Sequence, residues 1–216
     1  MSDNHQATVH LRRAYDILEQ VDSKTHTLQK QAAAHSAALD QDGPFLAGMV
    51  ASFAGARALS GEKGKLLSDI QLASNEIDRA AALDSGVAFE TPEGTLTPTA
   101  LRCTVLLMRG NVELIYGTME AAKQYFEQSI QIVETSDAHY MLGLILEEEY
   151  KPAEALGHFE KYLAIEPNGE HSVNALREAD RMRNYKVGFR GSWGTVAVLL
   201  LFCFPAAPIY YFMKRK

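Results

Sequence analysis

Apolar residues recur along this chain three and four positions apart, and Gly, Pro or short polar clusters separate the runs. Residues 5–35 read as one long helix carrying Leu11, Ala14, Leu18, Val21, Thr25, Leu28 and Ala32 at near-heptad spacing. Leu66, Ile70, Ala73, Ile77 and Ala80 form a second stripe, and Phe45, Met49, Val50 and Phe53 predict a partner helix before it, with Gly61 at the turn. A loop over 84–97 follows. Further helices are predicted over 98–115, 118–134, 137–149, 152–166 and 170–185. Thr97-Pro98 starts the first of these with an N-cap hydroxyl and a Pro at the first helical position. Gly117, Lys151-Pro152 and Pro167-Asn168-Gly169 supply the later breaks. The pattern predicts an all-α chain.

Two of the predicted hairpins repeat one another. Shifting the chain by 33 positions aligns Met108 with Met141, Gly110 with Gly143, Ala122 with Ala155, Phe126 with Phe159, Glu127 with Glu160 and Ile132 with Ile165. Gly110 and Ala122 are small residues on successive helices, so the two backbones can approach closely; Phe126 lies one turn beyond Ala122 and fills the space between neighbouring helices. Gly143, Ala155 and Phe159 repeat the arrangement.

The stretch from Arg109-Gly110-Asn111 to Ser129-Ile130, and more closely Leu142-Gly143, Ala155, Phe159 and Pro167, resembles the tetratricopeptide repeat family over residues 102–167. Arg109 stands where that family usually has Leu, His139 where it has an aromatic, and Tyr162 where it has a small residue. The resemblance implies a solenoid of helical hairpins whose first helices line a concave groove that grips a peptide or a helix. Carried over residue by residue, the lining is Leu107, Asn111, Leu114, Tyr140, Leu144, Glu147 and Glu148; the competing reading makes the three leucines plain core. Such a groove is apolar with an acidic rim and suits a basic, apolar partner. It lacks the Lys and Arg cluster that would clamp a C-terminal carboxylate.

From Gly191 to Met213 no residue is charged. Residues 194–213 include nine Val, Leu, Ile or Phe, and as a helix they would span about 30 Å, the thickness of a hydrocarbon core. Trp193 sits at one end, Tyr210 and Tyr211 near the other, and Lys214, Arg215 and Lys216 follow, an order suited to a membrane interface. Pro205 and Pro208 would kink the second half. Charge supports this reading. Residues 177–216 hold eight of the 21 Lys and Arg, Arg190 among them, but only two of the 27 Asp and Glu, so a basic stalk of +6 follows an acidic body of −12. That body lacks the broad basic surface of a nucleic-acid binder, whereas the stalk suits anionic lipid. The basic side would keep the N-terminal domain cytoplasmic, at a bacterial inner membrane or an organelle outer membrane. The polar N-terminus is not expected to act as a secretory signal, and two cysteines, Cys103 and Cys203, are expected to stay unpaired.

The expected organisation is an N-terminal helix over 1–40, a degenerate hairpin and loop over 41–97, two repeats and a capping helix over 98–185, a basic linker over 186–193 and an anchor over 194–213. The first helix would cap the bundle or pair with a second copy as a coiled coil; Thr and Ala in its seam favour the cap. Catalytic chemistry is not expected. Gly61-Glu62-Lys63-Gly64-Lys65 lacks phosphate-loop spacing and reads as a solvated turn. Ser192 lacks the setting of a nucleophile elbow. Glu154 and His158, one turn apart, and Glu147-Glu148-Glu149 read as solvated faces, because a metal site needs three or four converging ligands. No cofactor is implied. The function read from this is a membrane-anchored adaptor that recruits a protein partner; the alternative is a structural subunit held partly by its membrane helix, with Ala206-Ala207 and the prolines at a helix interface.

Overall fold

The computed structural model describes residues 3–36, 60–92 and 94–184. Among these are seven helices and one two-stranded ribbon: α1 (Asp3–Ser36), α2 (Ser60–Leu83), β1 (Phe89–Thr91), β2 (Gly94–Leu96), α3 (Pro98–Tyr116), α4 (Met119–Ile132), α5 (Ser136–Glu148), α6 (Pro152–Ile165) and α7 (Ser172–Arg183). The described residues are mostly helical, and each of these helices packs chiefly on the described helices before and after it.

α1 and α2 form an antiparallel pair. Ala7, Leu11, Ala14, Leu18 and Val21 on α1 are spaced alternately four and three, as are Leu66, Ile70, Ala73, Ile77 and Ala80 on α2, and the two stripes bury each other almost completely. Polar pairs along the edges fix the direction: Asn4 donates to Asp84 at 2.8 Å, His10 lies 2.6 Å from Glu76, and Lys24 reaches Asp69 at 3.5 Å. The predicted seam of α1 is thus occupied within its own chain. Leu28, Ala32 and the proposed partner residues Phe45, Met49, Val50 and Phe53 lie outside the residues whose side chains are described. Gly61 is not at a turn, as expected, but in the first turn of α2, where the helix simply begins earlier than the glycines suggested.

The expected loop 84–97 contains structure as well. β1 and β2 pair antiparallel, with Phe89 opposite Leu96 and Thr91 opposite Gly94, whose φ of 137° suits glycine. The ribbon holds Phe89 edge-on to Tyr15, ring centroids 5.8 Å apart, with the Arg12 guanidinium 5.6 Å above its ring. It joins α2 to α3 while covering the first core.

α3 to α6 are two hairpins. Ala100 N donates to the Thr97 hydroxyl at 3.2 Å and Ala121 N to the Thr118 hydroxyl at 3.1 Å, so both helices of the first hairpin start with a side-chain cap. The second hairpin turns through Tyr150, at a left-handed φ of 58°, and Pro152 opens α6. Within each hairpin one contact sets the helix separation. A Cβ on Gly110 would lie 2.6 Å from the Phe126 ring, and one on Gly143 would lie 2.7 Å from the Phe159 ring. Both rings and the companion residues Ala122 and Ala155 are completely buried. The 33-residue repeat in sequence is therefore a repeat of contact geometry.

Substituting alanine for Gly110 or Gly143 should cost about 1–3 kcal/mol by overpacking. Removing either ring with Phe126→Ala or Phe159→Ala should cost about 3–5 kcal/mol. Denaturant unfolding followed by circular dichroism measures both.

Candidate functional site

The expected lining residues all lie on α3 and α5, but their exposure differs. Leu114, Tyr140 and Leu144 are buried in the second core, alongside Phe126, Phe159 and Tyr162, while Leu107 packs half-buried against the same core. For Leu114 and Leu144 the core reading describes the structure better than an open groove. Gly110, Ala122, Phe126, Gly143, Ala155 and Phe159 pack as described above, and Pro167 is exposed in the turn after α6.

Tyr140 is gripped by aromatics. Its ring stacks on His171 at 4.4 Å with planes 5° apart and also meets Phe159 and Tyr162. Burial, and then the charge of Glu178, push its phenol up to about 12. Tyr162, at a position where the repeat pattern expects a small residue, accepts a hydrogen bond from the backbone N–H of His171 at 3.0 Å. Its hydroxyl thereby ties down the start of α7, a role that spacing alone does not reveal.

The polar part of the face is half-buried rather than solvated. Instead of the expected wet rim, Glu147, Glu148 and Glu149 are each partly covered. Glu149 takes Lys123 at 2.9 Å and Lys151 at 2.7 Å, and those two bonds outweigh burial to hold its carboxyl below the usual range. Glu147 meets the Arg181 guanidinium of α7, which also lies 3.0 Å from Glu178. Glu178 is almost wholly buried, and burial raises its carboxyl against the pull of Arg177. On α3 the side-chain oxygen of Asn111 is buried without a hydrogen-bond partner. A buried acceptor left without a donor costs stability.

The sequence reading missed one cluster. His139 is buried and its Nδ1 lies 2.9 Å from Nδ1 of His158, so His158 pairs across to α5 instead of forming the expected solvated face with Glu154. His139 Nε2 lies 3.0 Å from Glu134, which also takes Lys161 at 3.1 Å. The only available signal was a polar residue where the repeat pattern expects an aromatic. Among the described residues no group of three or more His, Cys, Asp or Glu converges as a metal ligand set.

None of the described helices is long and apolar enough to cross a membrane. The segment 194–213 and the residues expected at a membrane interface, Arg190, Trp193, Tyr210, Tyr211, Lys214, Arg215 and Lys216, lie outside the described residues. Comparison with protein-family models, with curated proteins and with solved structures found no match.

Replacing Arg181 with Leu should cost about 1–3 kcal/mol at pH 7, because Glu147 and Glu178 lose their shared cation. That deficit should shrink between pH 7 and a mildly acidic pH: burial already raises Glu178, and without Arg181 only Arg177 opposes its taking up a proton. Urea unfolding of the variant at the two pH values checks the sign.

Proposed function

We propose that this chain is a membrane-anchored interaction adaptor, with α3–α6 as two tetratricopeptide-like repeats, α7 as their cap and residues 194–213 as a single membrane anchor. The observation that carries the repeat reading is the recurrence of the Gly–Phe contact 33 residues apart, at 2.6 and 2.7 Å for the hypothetical Cβ. In such a stack the first helix of each hairpin, α3 and α5, faces the partner. The half-buried residues of that face are Leu107, Asn111, Glu147 and Glu148. Their mixture of apolar surface, an unsatisfied acceptor and acidic groups suits a partner segment with Lys or Arg beside apolar side chains. The anchor reading rests on the uncharged run and the basic flanks, which favour the repeats on the cytoplasmic side.

Burial of Leu114, Tyr140 and Leu144 favours a second reading. With so much of the face already committed to core, the hairpins would brace a larger membrane assembly as a structural subunit, and its membrane helix would carry part of the contact.

Full-length chain should stay with vesicles through carbonate extraction; release into the supernatant removes the anchor. In gently solubilised membranes, Glu148→Gln, which leaves the Glu147–Arg181 pair in place, should keep the native circular dichroism and lose most cross-linked partner. Unchanged cross-linking would refute the acidic-face reading. Deleting 191–216 should leave an adaptor's partner bound in solution, whereas a structural subunit would lose it.

A further inference from the structure

His139 on α5 and His158 on α6 belong to neither the proposed partner face nor the Gly–Phe contacts. Their Nδ1 atoms are 2.9 Å apart, and their ring centroids 5.1 Å apart. The centroid separation is close to the nitrogen separation plus two ring radii, so the nitrogens lie near the line joining the rings. Each ring therefore aims its Nδ1 at the other. Such a contact holds only with one hydrogen between the nitrogens, one ring donating and the other accepting.

The far side of His139 decides which ring donates. Its Nε2 lies 3.0 Å from Glu134 Oε1, and an ionised carboxylate only accepts, so Nε2 carries hydrogen. Neutral His139 then has a bare Nδ1, and the bridging hydrogen belongs to His158. One added proton is tolerated: His139 becomes the cation beside Glu134, and His158 turns its bare nitrogen inward by changing tautomer. A second proton is not. Both Nδ1 atoms would then carry hydrogen, and two donors of like charge would face each other across the same gap.

We propose that the His139–His158 pair is an acid-sensitive latch between α5 and α6, closed while one hydrogen bridges the facing nitrogens and open when both rings are charged. The surrounding groups weigh on both sides. Lys161 from α6 and Lys123 from α4 oppose protonation, whereas Glu154 from α6 and Glu134 from the α4–α5 connection favour it. Burial, which strips water from the charged form, outweighs the carboxylates. It holds His139 below the usual imidazole range and, together with the charge of His139, pushes His158 down to about 4. Both rings are thus neutral at pH 7. In the unfolded chain they titrate at about 6.5, so acid favours unfolding: the pair's stabilisation is present above that value and drains as pH falls through it toward 4.

The latch sits beside the partner face, because His139 precedes Tyr140 on a helix that also carries Leu144 and Glu147. Opening it would loosen the seating of α5 on α6 and so change that face at low pH. This consequence rests on the function proposed above; the latch itself does not.

The test uses the full chain in detergent micelles, with isotope-labelled histidine followed by NMR from pH 8 to 4 and each ring assigned through His158→Gln. The glutamine amide of that variant can still donate to His139 but cannot charge. The two rings should titrate as a coupled pair, both below the free imidazole value. Between pH 7 and 4.5 the wild-type folded-to-unfolded ratio should fall at least about tenfold more than that of His158→Gln. Independent titration of the two rings near ~6.5, or the same acid sensitivity in variant and wild type, overturns the latch. His139→Phe, which fills the buried site without a titrating group, should also blunt the pH dependence; if it fails to fold, the partly exposed His158 carries the test. No bilayer or partner is needed, so failure here is distinguishable from failure of the adaptor reading.

Discussion

The separation between paired helices in the second half of this protein depends on one contact, a phenylalanine ring lying where a side chain would otherwise be. Gly110 and Gly143 leave room that Phe126 and Phe159 occupy, and even a single added methyl group would sit inside van der Waals range of the rings. Close approach then buries Ala122 and Ala155 fully. It also brings polar residues of facing helices within bonding distance, which is why the His139–His158 pair can form at all. Glycine costs helix stability relative to alanine. That two of them sit in mid-helix, each under a ring, shows packing outweighing propensity.

Around this constraint the described residues build two cores in different ways. The first interlocks the heptad stripes of α1 and α2 and is closed by the Phe89 ribbon, with small alanines setting a tight antiparallel pair. The second is aromatic, with Phe126, Tyr140, Phe159 and Tyr162 filling the space between α4, α5, α6 and α7. Its edges are electrostatic. Arg181 bridges α5 and α7 through Glu147 and Glu178, while Lys123 and Lys151 share Glu149. Removing such a cation leaves partly buried carboxylates facing one another, so charge as well as shape fixes how the last helix sits.

Much of the helical layout was legible because it follows from local rules. Thr97 with Pro98 is a local helix-start signal that the structure uses as such, and the 33-residue recurrence of Gly, Ala and Phe repeats as packing. What escaped was decided at long range. The ribbon at 89–96 lies in a stretch whose Gly and Pro look like loop, and its strand character comes from Phe89 finding Tyr15, far away in sequence. The GEKGK run looks like a turn, but α2 absorbs both glycines because the following stripe is buried against α1. The site was half legible. Spacing placed Leu107, Asn111, Tyr140 and Glu147 on the correct helices, but it could not say how much of each side chain the core would claim. Nor could it pair His139 with His158, since that contact depends on the rotation of two helices about their axes.

The most direct test of the Gly–Phe constraint is a double-mutant cycle on the full chain, combining Gly143→Ala with Phe159→Leu and measuring unfolding free energies. If the ring occupies the space the glycine leaves, the smaller leucine should relieve the alanine clash, giving a favourable coupling of about 1 kcal/mol or more. Additive effects would mean that the ring and the glycine do not set the helix separation, and the repeat reading would lose its physical basis.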